Sequence, residues 1–105
     1  MRPKYENKKT GKYHSKKEAD FATVLHAMEK AGKIIDLREQ VKFVLIPAQY
    51  IDGKCVERAW SYVCDFQYRY PGAELRTVDV GFKTQEYVSK RKAMLFFHGI
   101  RIEEV

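Results

Sequence analysis

The sequence predicts a mixed α/β fold (α+β) with elements in the order α-β-β-β-α-β. In it, an antiparallel three-strand meander and a parallel fourth strand form one sheet with helices packed on it. A capped helix near the N-terminus, two strand-like runs around a short turn, and a second helix before a final alternating segment support this order. At 105 residues the chain suffices for one domain with a modest core. We expect a basic N-terminal arm over residues 1–14 and a single domain over residues 15–105.

The first helix begins at Ser15, where Ser15-Lys16-Lys17-Glu18 has the form of a capping box. An apolar stripe at helical spacing follows, and Gly32 ends the helix. Glu18 lies on the inward side of the first turn. It therefore has two interpretations: a partner in the cap, or an acid directed at the sheet.

A long strand is predicted over residues 34–49, ending near Pro47. One face carries apolar residues, and the other, beginning at Arg38 and Gln40, is polar first and apolar later. That change is typical of a strand whose first half borders an open cleft. Asp52-Gly53-Lys54 is a turn signal that links this strand to the next one.

The centre of the chain is a predicted β-hairpin, formed by residues 60–70 and 75–80 around a turn at Gly72. Its register sets Asp65 directly opposite Asp79, on one face of the sheet. Opposed residues on antiparallel strands have Cβ atoms about 5 Å apart, and like charges there are destabilising. We therefore interpret the pair as a divalent-metal site.

The C-terminal part predicts a helix capped by Thr84 and running to about Phe97, followed by a strand over residues 100–105. A strand, a helix and a strand in succession favour a parallel crossover. The run Lys90-Arg91-Lys92 lies midway along the helix. It forms either a solvated helix face or a surface that contacts phosphate groups.

The net charge of +6 suggests a polyanionic partner, with nucleic acid the leading candidate. The alternative is a basic protein with a solvated lysine face. Cys55 and Cys64 fit neither a zinc pattern nor a disulfide framework, which indicates reduced thiols and a cytoplasmic location. No secretory signal and no segment of membrane-spanning length are visible, so we expect no membrane partner.

Five pieces in this order resemble the PD-(D/E)xK nuclease superfamily, which has the restriction-endonuclease-like fold. They are Ser15-Lys16-Lys17-Glu18-Ala19, Gln40-Val41-Lys42-Phe43, Tyr62-Val63-Cys64-Asp65-Phe66, Val78-Asp79-Val80 and Gly81-Phe82-Lys83-Thr84. Together they extend from Ser15 to Val105. More narrowly, the chain resembles a small family of mostly phage-borne members, which implies the cytoplasm of a host cell.

The resemblance implies a role for each matching residue. Asp65 and Asp79 would bind Mg²⁺ or Mn²⁺, Glu18 would complete the site, and Gln40 would face it from the neighbouring strand. The implied reaction is metal-dependent endonucleolytic hydrolysis of DNA phosphodiester bonds, in recombination, replication or genome processing.

The sequence departs from the family pattern at one place. The family lysine should stand two residues after Asp79, where this chain has Gly81. Lys83, further along the same strand, and Lys42, on the adjacent strand, are the two candidates to replace it.

Six cations are predicted to contact DNA, which would be linear, branched or flapped: Lys16, Lys17, Lys42, Lys90, Arg91 and Lys92. Since the family lysine is missing, a silent nuclease-fold protein that binds DNA or a host protein is the alternative function. A homodimer remains open on symmetry grounds, because cutting a duplex usually requires two sites.

Overall fold

The fold is mixed α+β, as predicted. The computed structural model describes residues 13–81 and 83–105. Its elements are α1 (Lys16–Lys30), β1 (Ile35–Ile46), β2 (Gln49–Ile51), β3 (Lys54–Glu57), β4 (Trp60–Arg69), β5 (Arg76–Asp79), α2 (Gln85–Ala93), a π-helical turn (Met94–His98) and β6 (Glu103–Glu104). Within those ranges no helix is long and apolar enough to cross a membrane.

The predicted arm lies mostly outside the described residues, and its last two positions belong to the domain. Tyr13 packs against the core beside Phe66, with ring centroids 6.4 Å apart, and its hydroxyl donates to Glu39 at 2.8 Å. The backbone N–H of His14 donates to the Glu18 carboxylate. Tyr13 and His14, which the prediction placed in the arm, therefore contact the folded domain.

The main sheet has the strand order β1-β4-β5-β6. β1–β4 and β4–β5 pair antiparallel, and β5–β6 pair in parallel over two residues. The antiparallel meander and the parallel fourth strand are thus confirmed. The last strand is shorter than the predicted segment 100–105.

The predicted strand 34–49 is confirmed over residues 35–46, and at its C-terminal end only residues 47–49 lie outside β1. β1 stops at Ile46, and the chain after Pro47 forms a separate two-stranded ribbon from β2 and β3. Asp52 and Gly53 both have positive φ, 51° and 79°, which is the backbone that a two-residue hairpin turn requires. Because proline cannot donate a hydrogen bond to a ladder, it interrupts the pairing without stopping the extended chain.

The hairpin register is confirmed by three pairs, in which Phe66, Gln67 and Tyr68 face Val78, Thr77 and Arg76. Continuing this register by one residue sets Asp65 opposite Asp79. The β1–β4 register, which pairs Glu39 with Phe66 and Val41 with Cys64, likewise sets Gln40 opposite Asp65.

Two clusters form the core, and alternate residues of β4 contribute to both. Tyr62 and Cys64 pack in the cluster that contains Tyr87, Ala93 and Met94 from the second helical segment. Phe66 and Tyr68 pack with residues of α1, including Ala22 and Leu25. Since residues two apart on a strand share a face, one row of β4 side chains holds both helices on the sheet.

Phe66→Ala is expected to cost about 3–5 kcal/mol of the free energy of unfolding. Phe66 is fully buried, and truncating a buried phenylalanine removes its apolar contacts and leaves a cavity. Urea denaturation measures the loss. Phe96→Ala is the control, because Phe96 is 82% exposed and should change stability by no more than about 0.5 kcal/mol. Equal losses in both variants would contradict this core.

Candidate metal and phosphodiester site

A cavity of about 610 Å³ collects side chains from α1, β1, β4, β5 and α2. It contains the four residues that the sequence assigned to the metal site and its neighbour: Glu18, Gln40, Asp65 and Asp79. It also contains residues that the sequence did not assign to the metal site: His14, Ser15, Ser61, Tyr62, Val63, Val80, Gly81, Thr84, Glu86, Tyr87 and Lys90, the last of which was predicted to contact DNA. The acids that lie far apart in the chain are therefore brought to one place.

Asp65 is held firmly by the backbone around it. It is buried, and its Oδ2 accepts the Val80 N–H at 2.8 Å. Val80 directly follows Asp79, so this hydrogen bond fixes the end of β5 against β4. The two aspartates, placed opposite each other by the register, are held as neighbours.

Gln40 forms a hydrogen-bonded bridge between Glu18 and Asp65. Its Nε2 donates to Glu18 Oε2 at 3.2 Å and to Asp65 Oδ1 at 3.5 Å. The Glu18 side chain is buried, and the Ser15 hydroxyl caps its backbone N–H at 3.0 Å. Glu18 therefore combines the two interpretations left open above: it occupies the capping position and faces the sheet.

The backbone of Gln40 is strained. Its φ is 53°, the left-handed region, which costs a non-glycine residue about 1–3 kcal/mol and concentrates at functional sites. This conformation occurs directly opposite Asp65, at the residue that bridges two acids. The strain therefore coincides with the polar contacts of the cavity.

Tyr62 contributes a buried hydroxyl without a well-formed hydrogen bond among the described residues. It nevertheless lies close enough to Asp79 to act in the direction that lowers the pKa of that carboxyl. A buried hydroxyl normally has a partner, because leaving one unsatisfied costs about 1–3 kcal/mol. A ligand oxygen in the cavity would give it one.

The electrostatics of the cavity favour a proton or another positive charge near the acids. Burial, and then the charge of Asp65 and a hydrogen bond to it, raise the pKa of Asp79 well above its ordinary value. Burial, and then the charge of Asp65, also raise the pKa of Glu18. At neutral pH the metal-free cavity therefore resists full ionisation.

Asp79→Asn is expected to raise the Tm of the metal-free protein at pH 8 by at least about 4 °C, about 1 kcal/mol for a domain of this size. A carboxyl whose pKa is raised on folding stabilises the fold below its unfolded pKa and loses that contribution as pH rises through the folded pKa. At pH 5 the gain should be smaller, because only part of the loss that accumulates between the unfolded and the folded pKa has occurred there. Thermal melts with EDTA at both pH values measure this, and an equal gain or a loss at both would contradict it.

Neither predicted replacement for the family lysine lines the cavity. The Lys83 ammonium pairs with Glu104 at 2.9 Å, and Lys42 is exposed on β1. Lys90 does line it; its side chain is 22% exposed and its ammonium lies 3.4 Å from Glu86. Among the described residues, the lysine that lines the cavity comes from α2.

The other predicted DNA-binding cations lie away from the cavity. Lys16 and Lys17 border a separate surface groove beside Phe21, and Lys16 pairs with Asp20 at 3.0 Å. Arg91 pairs with Glu104 at 2.9 Å. Hydrogen bonds from Arg91, Lys83 and Tyr87 lower the pKa of Glu104 to about 2. Lys92 is exposed and borders a third groove.

The donors of the cavity suit a hard divalent cation, although they are not gathered as a ready-made cage. Across residues 13–81 and 83–105, no three His, Cys, Asp or Glu side chains are grouped closely enough to hold a metal ion. Mg²⁺ usually keeps several waters and binds through one or two carboxylates plus substrate phosphates. The Asp65–Asp79 pair supplies that smaller number of carboxylates. The side-chain amide of Gln40 lies between Asp65 and Glu18.

Comparison with known proteins gives a family. A family model described as "Protein of unknown function (DUF1064)" matches residues 2–102, nearly the whole chain. The chain belongs to the DUF1064 family. No curated protein and no solved structure matches this DUF1064 chain.

The sequence missed Tyr62 and Lys90 as residues of this DUF1064 cavity. Tyr62 lies three residues before Asp65, and the strand pattern indicates an apolar position there. Lys90 is one of three consecutive cations, which point in directions about 100° apart around a helix. Tyr87 packs against Tyr62, with ring centroids 6.3 Å apart, and is three residues before Lys90, so both lie on one side of α2. That spacing is the signal that could have selected Lys90.

Proposed function

We propose that this protein is a metal-dependent endonuclease that hydrolyses DNA phosphodiester bonds in the cytoplasm. The observation that carries the proposal is the opposed pair Asp65 and Asp79, held by backbone contacts in a cavity that also contains Glu18. Two adjacent carboxylates are destabilising in the absence of a cation. The cation that best fits oxygen donors of this kind is Mg²⁺ or Mn²⁺.

Each residue of the cavity has a role in this proposal. Asp65 and Asp79 would hold the cation, which supplies Lewis-acid stabilisation of a phosphoryl group. Gln40 positions Glu18 and Asp65 through its two hydrogen bonds. Lys90 would offset the negative charge of the scissile phosphate, since a cation aimed at developing charge is a main source of catalysis in a water-poor site.

Incubation of the purified protein with end-labelled DNA tests the proposal. The substrates are linear duplex, flapped and four-way DNA, each with Mg²⁺, Mn²⁺ or EDTA. We expect internal cuts with either metal and none with EDTA. A thermal melt shows whether the protein is folded. If folded protein leaves the DNA intact in every metal-containing reaction, the endonuclease proposal is wrong.

A second function is favoured by Gly81, which stands where the resemblance expects a lysine. In this alternative the protein binds DNA without cutting it. Its affinity should fall steeply between low and moderate salt, because phosphate contacts release counterions. Asp79→Asn should then preserve or strengthen binding, because it removes a negative charge from the surface that faces DNA.

A further inference from the structure

The helix that brings Lys90 to the cavity ends in a group of exposed apolar residues. Leu95, Phe96 and Phe97, here called the aromatic patch, are 56%, 82% and 50% exposed. The rings of Phe96 and Phe97 meet edge to face with centroids 5.1 Å apart. The π-helical turn Met94–His98 buries Met94 and leaves the next three residues toward solvent.

A groove with basic side chains borders the aromatic patch at Leu95. This groove of about 410 Å³ is lined by Leu95 of the patch together with Arg91, Lys92, Arg101, Ile102 and Glu104. Glu104 is engaged by Lys83 and Arg91. Within the described residues Lys92 and Arg101 have no carboxylate partner. The groove therefore offers two uncompensated positive charges beside Leu95, which directly precedes Phe96 and Phe97 in the chain.

Exposed aromatic rings that follow a basic groove along the same helical segment fit a ligand that carries negative charges and flat apolar surfaces together. We propose that the aromatic patch and this groove bind single-stranded DNA. Bases would stack on Phe96 and Phe97, and Lys92 and Arg101 would contact the phosphates. Duplex DNA hides its base faces, so it would use the cations alone. Three apolar residues in one turn give too short a face for stable insertion into a lipid surface, which requires a longer amphipathic helix.

Binding of single-stranded DNA would specify the kind of DNA on which the proposed endonuclease acts. Its biological meaning therefore rests on the proposed function. Because Lys90 lies on α2 and the aromatic patch lies on the π-helical turn that continues it, the substrate would be DNA with an unpaired segment next to the scissile phosphate, such as a flap or a junction. Binding is measured without metal, so a failure of cleavage and a failure of this proposal give different results.

Fluorescence anisotropy in EDTA tests it, with a labelled fifteen-nucleotide single strand and its duplex as probes. The Phe96→Ala/Phe97→Ala variant should bind the single strand at least about ten-fold more weakly, because stacking contributes about 1–3 kcal/mol per base. Its duplex affinity should stay within about two-fold. The Lys92→Ala/Arg101→Ala variant should weaken both probes and reduce the salt dependence.

Three further variants and one further probe keep the result decisive. Ile51→Ala removes an equally exposed apolar residue on the β2–β3 ribbon and should change neither affinity. Phe96→Ala alone should show part of the same selective loss in a protein with unchanged thermal stability. The Phe96→Trp variant should change its fluorescence on binding the single strand, as expected for a stacked indole, and an RNA strand shows whether the sugar matters.

Other outcomes would overturn the proposal. These are equal losses for both probes in the phenylalanine variants, or no binding of the single strand by the wild-type protein at low salt. Dissociation of a wild-type dimer by Phe96→Ala would assign the patch to contacts between copies of this chain. Binding of anionic phospholipid vesicles that the same change abolishes would assign it to a lipid surface.

Discussion

Asp65→Asn and Asp79→Asn are each expected to lower metal-dependent DNA cleavage by at least about a hundred-fold. Each change replaces a carboxylate oxygen that we propose as a cation ligand by an amide nitrogen, which is a poor ligand for Mg²⁺. The loss should appear in the cleavage rate at saturating DNA, because DNA affinity depends on other residues. Single-turnover cleavage of an end-labelled flap with Mg²⁺ measures it.

Asp52→Asn is the matched control for these variants. Asp52 is an exposed aspartate in the turn of the β2–β3 ribbon with φ of 51°, and asparagine tolerates that backbone well. Its cleavage should remain within about two-fold of the wild-type rate. Equal activity in Asp65→Asn, Asp79→Asn and Asp52→Asn would show that the cavity acids do not support cleavage.

Lys90→Ala is expected to lower the cleavage rate by about a hundred- to a thousand-fold, the usual cost of removing one electrostatic donor from a hydrolytic site. Its metal binding should be preserved, because Lys90 is no ligand. Lys83→Ala is the matched control; it loses an ion pair with Glu104 at the protein surface and should reduce the rate by less than about three-fold. A larger loss of cleavage rate in Lys83→Ala than in Lys90→Ala would indicate that Lys83 is the catalytic cation.

A rescue experiment separates a charge effect of Lys90 from a packing effect. In a Cys55→Ser background, which removes the exposed thiol, Lys90→Cys can be aminoethylated to restore an ammonium group at nearly the same distance. Cleavage should return with the modification. A rate that stays low after complete modification would indicate that Lys90 matters for packing alone.

The sequence was sufficient to predict most of what brings the acids together. The turn at Gly72 and the strand patterns of residues 60–80 fix the register, and the register fixes Asp65 against Asp79. Position 18 could be placed on the inward side of its helix by periodicity. These predictions depend on local geometry, which the chain determines over short distances.

Other features depended on tertiary packing and escaped prediction. The ribbon of β2 and β3 follows Pro47, which by itself indicates only that a ladder is interrupted. The choice among Lys90, Arg91 and Lys92 depends on how α2 is rotated against Tyr62. The positive φ of Gln40 has no sequence signal, because glutamine rarely adopts it.

The most direct test of the account is the anomalous diffraction of a crystal soaked in Mn²⁺, recorded at the manganese absorption edge. The account predicts one strong peak within coordinating distance of both Asp65 and Asp79, absent from a crystal of Asp79→Asn. A cavity without manganese at millimolar concentration, or a peak that contacts only the surface acids Glu103 and Glu104, would contradict it.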